Sequence, residues 1–423
     1  MQLAHRDSYA CKSVWLLNKA SYFHHLNLRV IDGAPYLLQL LAGMTGTDRC
    51  PIVFDTGSRE CRFGLGGMKH DKPRYFYSMA PRRTDQKDAV VDQNDNYISS
   101  NVHKKQSDLP LVSPIERGVV INWDDMEKIW HHAFYDKLSV APEEHPVVLT
   151  EPPLNPKANR ETMAQVMFET FNVPSIYIGL SPIMALYANC LWTGIVLESG
   201  DGISTAMHVY DNEILPNTTF RLDLAGRDLT DNLAQMLNER GYSFTSTAEH
   251  KIVRDIKEKL CYVAMDFEKE MQTAASSRSL KKSYKLPDGR VITIGNERFR
   301  CAETLFQPSS FKMGKSGIQQ ILISSILTAD EGVRDTQFQQ TIVLTGGSMR
   351  FKGTKQRLQK ELAYLAPPNL RFNILAPTQP NFDVWFGASK LPIISFGKPL
   401  RISKTDYEES GPTVAHIGAI AEH

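Results

Sequence analysis

Apolar and polar positions follow two different periodicities along the chain from residue 51 onward. Short apolar runs, such as those in "PIVFD" and "HPVVLT", are typical of buried strands. In "WDDMEKIWHHAFY" the apolar residues recur at helical spacing from Met126 to Phe134, and Asn122 is a good N-cap. Asn155, which precedes a proline, marks the start of a second helix. Strands that alternate with helices in this way predict an α/β fold.

Glycine-containing turns recur at the ends of the apolar strands. "VFDTGSREC" at 53–61 and "TGIVLESGDGISTAMHVY" at 193–210 both have the order strand, glycine turn, strand. A third strand, in "TIVLTGGSM", leads into Gly346 and Gly347. One such hairpin in each half of the chain predicts a duplicated domain whose two copies face a shared cleft.

Length, charge and cysteine content narrow the class of protein. A chain of 423 residues predicts two domains or one large two-lobed fold. A formal net charge of +1 argues against recruitment by nucleic acid or membrane surfaces, and no apolar run reaches the roughly 20 residues of a membrane span. The six cysteines are scattered without a C-x-x-C pair, which suits a reducing compartment. Residues 1–50 are interpreted as an extension of uncertain order.

The Asp-Thr-Gly turn that begins at Asp55 has two chemical interpretations. An aspartic protease needs a second aspartate in a matching turn, so that two carboxylates share a proton. The nearest match, "ESGDG", begins with Glu198, and the frequent helical periods differ from the almost all-β proteases. The sequence therefore argues against a protease.

Two phosphate-binding hairpins are the remaining interpretation. The hydroxyls of Ser58 and Ser199, with neighbouring N–H groups, are suited to hold phosphate oxygens. Asp55, Glu198 and Asp201 supply negative charge that could order hydrated Mg²⁺. Each motif alone is no more than a turn sequence. Their joint order and spacing predict a nucleotide site.

Longer blocks of the sequence carry a resemblance to a known family. "EPPLNPKANRETMAQVMFETFNVPSIY", "LDLAGRDLTDNL", "ERGYSF", "LPDGRVITIGNERFRCAETLFQPS" and "GPTVAH" are similar to conventional actin. The similarity runs from Asp55 to near Gly317 and then to about His416. It implies an actin-like, ribonuclease-H-like duplicated fold, with two lobes and four subdomains around a cleft that holds ATP or ADP with Mg²⁺. It also implies filament formation and slow ATP hydrolysis.

The resemblance also implies domain boundaries. The small lobe comprises 51–188 and 382–423, with 77–113 as its second subdomain. The large lobe comprises 189–381, with 225–313 as its fourth subdomain.

The family's ligand contacts are carried over to individual positions of this sequence. The metal, through water, is implied to be held by Asp55 and Glu198. Phosphate contacts are implied at Gly57, Ser58, Arg62, Ser199, Gly200, Asp201 and Gly202. Base and ribose contacts are implied at Gly226, Lys257, Glu258, Gly346, Gly347, Ser348 and Phe351.

Departures from the family pattern concentrate on the chemistry. The small glycine of the first turn is Arg59, and the phosphate-binding lysine is Arg62. The glutamine that positions the attacking water is Ser181, and the histidine beside that water is Thr205. Ser181 is too short to hold the water in line, and Thr205 cannot act as a comparable proton relay. We therefore predict that ATP binding is retained and that hydrolysis is negligible. Other departures are Glu60 in place of a hydrophobe, Glu198 in place of aspartate and Asn381 in place of lysine.

Surfaces that form filaments in the family have also changed. The loop 84–95, "TDQKDAVVDQND", has little apolar character, and the segment 309–315 contains Lys312 and Lys315. Charge at these contacts predicts weakened polymerisation. The expected partners are actin-binding or cytoskeletal proteins, further copies of the chain or conventional actin, in the cytoplasm and cytoskeleton or in the nucleus. A conventional ATP-hydrolysing actin and a subunit of a larger complex are the alternatives.

Overall fold

The structure is a computed structural model, and the residues that it describes are 50–67, 73–78, 80–81, 111–311, 316–330, 340–394 and 401–416. The N-terminal extension 1–49 and the loop 84–95 lie outside the described residues, as do most of 309–315 and most of the proposed subdomain 77–113. The subdomain boundaries stay predictions.

Strands account for much of the described chain. In chain order they are β1 Ile52–Thr56, β2 Glu60–Leu65, β3 Arg74–Tyr77, β4 Ala80–Pro81, β5 Leu111–Val112, β6 Ile115–Glu116, β7 Val119–Val120, β8 Val147–Glu151, β9 Ser175–Leu180, β10 Gly194–Ser199, β11 Ser204–Tyr210, β12 Glu213–Ile214, β13 Phe220–Leu222, β14 Lys282–Lys285, β15 Val291–Ile294, β16 Gln340–Thr345, β17 Phe372–Leu375 and β18 Ile402–Ser403.

Helices connect and cover these strands. The α-helices of the described residues are α1 Trp123–His131, α2 Lys157–Gln165, α3 Ser181–Ala188, α4 Gly226–Glu239, α5 Thr247–Leu260, α6 Phe267–Ser276, α7 Glu297–Glu303, α8 Ile318–Thr328, α9 Thr354–Leu365, α10 Asp383–Ile394 and α11 Lys404–Ser410. Helices α1 and α2 continue as π-helical turns, to Leu138 and Thr170. No helix within the described ranges is long and apolar enough to cross a membrane.

The starts of the first two helices illustrate how local sequence acts. Asn122 caps α1 as predicted, since its side-chain oxygen accepts a hydrogen bond from the backbone N–H of Asp125 at 3.1 Å. The second helix predicted to start at Asn155 is present as α2, but it begins at Lys157 and has Pro156, not Asn155, at its N-cap position. The Asn155 amide instead donates to Glu151 at 2.9 Å.

Two large sheets repeat the same local topology. The first has the order β18-β9-β8-β1-β2-β3 and the second β12-β11-β10-β16-β17. In each, the hairpin strand that precedes the glycine turn pairs antiparallel with the next strand and parallel with a later one. These central strands are β1 and β10. The predicted duplication of an α/β unit is therefore confirmed.

Three apolar clusters fill the spaces around the sheets. One belongs to the first sheet and one to the second, while the third contains residues from both. Val53 and Val148 contribute to this third cluster from the first sheet, and Val196 and Val343 from the second. Residues of helices α3 and α10 complete this cluster between the two sheets, so one buried layer joins the two halves.

Close packing of α3 against α10 sets the thickness of this layer. A Cβ atom built on Gly387 of α10 would lie only 1.7 Å from the backbone oxygen of Met184 on α3. Beside it, Trp385 is almost completely buried and its indole N–H donates to the backbone oxygen of Val53 at 3.2 Å. Helix α10 is therefore fixed to both α3 and β1.

Replacing Gly387 by alanine tests this contact. The methyl group has to push the two helices apart, so Gly387→Ala should lower the free energy of unfolding by about 3 kcal/mol, measured by urea denaturation. Gly295→Ala is the matched control, because its Cβ would have ordinary contacts beginning at 3.7 Å. Equal destabilisation by both substitutions would contradict the assigned constraint.

Asp383, the first residue of α10, makes the stability of this layer pH-dependent. Burial raises the pKa of this carboxyl group from 3.8 to about 7, and its Oδ2 atom is buried with no hydrogen-bond partner among the described residues. Since the folded protein holds the proton more tightly than the unfolded chain, the parent should lose stability as pH rises from about 4 to about 7.

Asp383→Asn, which keeps the group neutral, should remove this loss. We expect the variant to exceed the parent in free energy of unfolding by an amount that grows across this interval to on the order of 3 kcal/mol and is constant above it. Denaturation curves at about pH 4, 6 and 8 measure the difference. A difference that does not change with pH would refute the assignment.

Candidate functional site

The two glycine turns that follow β1 and β10 lie against each other. A Cβ atom built on Gly202 would be 2.7 Å from the Ser58 hydroxyl oxygen, so only glycine fits there without a shift. Gly118, from the turn between β6 and β7, donates its N–H to the same hydroxyl at 3.1 Å. The chain therefore brings the two predicted phosphate hairpins to one place.

Asp55 is held on both of its carboxylate oxygens. The Arg62 guanidinium donates to Oδ2 at 3.0 Å, and the Thr150 hydroxyl donates to Oδ1 at 2.9 Å. Arg62 also donates to Glu60 at 2.9 Å. The strand register explains the first contact, because Asp55 and Arg62 are directly opposite in the β1–β2 hairpin.

Arg59 crosses the cleft between the sheets. Its Nη1 atom donates to Glu258 on α5 at 2.6 Å, and its Nε atom lies 3.4 Å from Glu60. Burial alone would lower the pKa of Arg59, but the carboxylates of Glu258 and Glu60 outweigh it and raise that pKa above its usual value. The residue that departs most in size from the family pattern is thus an ion-paired bridge.

Ser181 and Glu198 form a hydrogen-bonded pair within electrostatic range of Asp55 and Arg62. The Ser181 hydroxyl, at the start of α3, donates to Glu198 at 2.7 Å. Burial raises the pKa of Glu198 to about 7, although the bond from Ser181 opposes this. Thr205 pairs with Glu198 across the β10–β11 hairpin, and its hydroxyl is buried with no hydrogen-bond partner in the described part of the chain.

The turn after β10 is ordered by hydrogen bonds within the protein. The Gly200 carbonyl accepts from the backbone N–H of Gly226 at 3.1 Å and from the Ser348 hydroxyl at 2.7 Å. The Ser199 hydroxyl is fully buried and bonds Ser204 at 2.8 Å, so it faces the strand and not the cleft. Its expected contact with phosphate through the hydroxyl does not fit this orientation.

The remaining predicted nucleotide contacts surround the same turn. Gly346 has φ +89° and its Cβ would lie 2.3 Å from the backbone oxygen of Ser199, so both conformation and space require glycine.

The other predicted contacts have partners or open space within the protein. Lys257 is buried and donates to the Gly226 carbonyl and the Thr230 hydroxyl, while Phe351 packs against the core of the second sheet. Gly57 and Gly347 leave ordinary or open space. The Oδ2 atom of Asp201 lies 3.5 Å from the Nε atom of Arg227. The binding roles stay predictions.

Arg117 and Asp228 form an ion-paired bridge that the sequence pattern does not predict. Arg117, which has φ +50°, donates two parallel hydrogen bonds of 2.7 Å to the Asp228 carboxylate and one of 2.8 Å to the Gly202 carbonyl. Asp228 also accepts from the N–H of Ala225, at the start of α4. An acidic residue three positions after a helix start was a usable signal for its capping role, but not for the partner 111 residues away.

The residues of this cleft suit phosphate groups better than a hydrated divalent metal. The Nε atoms of Arg62 and Arg254 are buried donors without a hydrogen-bond acceptor among the described residues, which suits an anion. Each oxygen of Asp55 already accepts one hydrogen bond, from Arg62 or from Thr150, and Glu198 accepts one from Ser181, which leaves these carboxylates fewer lone pairs for the water shell of a metal.

The family model described as Actin matches residues 46–419, which is most of the chain.

The Arg117–Asp228 bridge leads to a prediction about coupling between the two halves. Bidentate, partly buried pairs are stronger than exposed ones, so a double-mutant cycle with Arg117→Gln and Asp228→Asn should give a coupling energy above about 1 kcal/mol in urea denaturation. The same cycle at the exposed pair Arg290 and Asp288 should give less than about 0.5 kcal/mol. Similar coupling energies in the two cycles would show that the Arg117–Asp228 bridge does not hold the two halves together more strongly than an exposed ion pair.

Proposed function

Since the chain belongs to the actin family, we propose that it is a divergent actin-related protein that binds ATP or ADP and hydrolyses ATP at a negligible rate. It serves as a scaffold in the cytoskeleton, in the cytoplasm or the nucleus. Its partners are actin-binding or cytoskeletal proteins, further copies of the chain or conventional actin.

The hydrogen bond from Ser181 to Glu198 carries the proposal of lost hydrolysis. A water that attacks a γ-phosphate must be held in line by groups that reach it. Ser181 is short, and its hydroxyl is already committed to Glu198 at 2.7 Å. Thr205 is buried and lies on the strand next to Glu198. Neither side chain supplies a proton relay of the kind that histidine provides.

Phosphate release is the measurement that tests this proposal. In the presence of ATP and Mg²⁺, the purified chain should release phosphate at the rate of the buffer blank, while conventional actin in the same assay turns over. The double variant Ser181→Gln, Thr205→His should exceed its parent, because it restores the two reaching groups. Robust turnover by the unaltered chain would overturn the proposal in favour of a conventional ATPase.

Sedimentation separates the scaffold from the third alternative, an actin-like subunit of a larger complex. A self-assembling scaffold pellets at high speed when purified alone. A complex subunit stays in the supernatant alone and pellets or co-elutes only with other subunits. Because Lys312 and Lys315 predict weak self-assembly, the pelleted fraction of the scaffold should be small and should grow with protein concentration.

A further inference from the structure

Three arginines are concentrated at the meeting point of the two glycine turns. Arg59 and Arg62 belong to the first hairpin, and Arg254 lies one helical turn before Glu258 on α5. Arg59 and Arg254 are close enough that burial, followed by the charge of Arg59, lowers the pKa of Arg254. Asp201 of the second turn also interacts electrostatically with both. Arg62 is linked to Arg59 through Glu60, whose carboxylate contacts both guanidinium groups, so the three arginines lie in one region.

Each of these guanidinium groups retains a buried N–H that donates no hydrogen bond. The Nε atoms of Arg59, Arg62 and Arg254 are all buried, and none has a hydrogen-bond acceptor within the described residues. The contact of Arg59 Nε with Glu60, at 3.4 Å, is an ion pair without hydrogen-bond geometry. Buried N–H groups are rarely left unsatisfied in folded proteins, so this cluster indicates a missing anionic ligand.

The carboxylates of the same region are already neutralised by the chain. Arg62 and Thr150 occupy both oxygens of Asp55, and Arg62 with Arg59 contacts Glu60. These ion pairs cancel much of the negative charge that would attract a hydrated cation. The positive charge that would balance a phosphate ligand is thus supplied by the protein's own arginine side chains.

We propose that the cleft binds nucleoside di- and triphosphates without a divalent cation, with Arg59, Arg62 and Arg254 contacting the phosphates in the place of the metal. This inference rests on the proposed nucleotide binding and specifies the form of its ligand. Guanidinium groups suit the role because each can donate several charge-assisted hydrogen bonds to phosphate oxygens.

Calorimetric titration of the full chain with ATP and with ADP, in Mg²⁺ and separately in excess EDTA, tests the proposal. The two dissociation constants for each nucleotide should agree within about threefold. Arg59→Ala should weaken binding in EDTA by at least about tenfold, since it removes a charge-assisted contact. Arg290→Ala, the same change at an exposed arginine away from the cleft, should leave binding unaltered.

The other outcomes separate this inference from the proposed function. Binding that requires Mg²⁺ would overturn the inference and leave nucleotide binding intact. Absence of binding under both conditions, with thermal unfolding that shows a folded protein, would overturn both. Undiminished binding by a folded Arg59→Ala variant would also refute the role of the arginines, and Arg59→Lys, which keeps the charge, should recover part of the affinity.

Discussion

The contact between Gly387 and the backbone of Met184 is the constraint on which the rest of the structure depends. It allows α3 and α10 to pack closely enough for one apolar layer to touch both sheets. Each sheet carries its glycine turn at the end of its central strand. The spacing of the layer therefore determines that Ser58 meets Gly202, because rigid strands transmit the geometry of the core to their ends.

Charge organises the cleft above this layer. Within the first hairpin, Arg62 donates hydrogen bonds to both Asp55 and Glu60. Arg59 joins this hairpin to Glu258 on α5. Arg117 provides a second connection, to Asp228. Two ion-paired bridges thus link the halves near the turns, where a ligand would otherwise supply much of the attraction.

The sequence predicted the parts of this architecture that depend on local pattern. Apolar periodicity and the glycine turns were sufficient to predict the duplicated α/β unit. The cap at Asn122 was predicted from its residue type immediately before the helical pattern. Both predictions rest on residues that are neighbours in the chain. The hydroxyl of Ser199 was misplaced, since its direction depends on the pleat and on Ser204. The Arg117–Asp228 pair could not be predicted, because it joins distant segments and no local signal specifies the partner. Asn155 shows that even a good cap signal yields to a competing hydrogen bond, here to Glu151 four residues earlier.

The position of α10 in the chain has a consequence for biogenesis. Trp385 donates its hydrogen bond to a strand that lies 332 residues earlier, so the joining layer cannot close until most of the polypeptide has left the ribosome. Until then, the apolar faces of β1 and β8 lack their cover, and closure of so long a loop is slow. We therefore expect nascent chains of this protein to need protection from aggregation for longer than their individual sheets would.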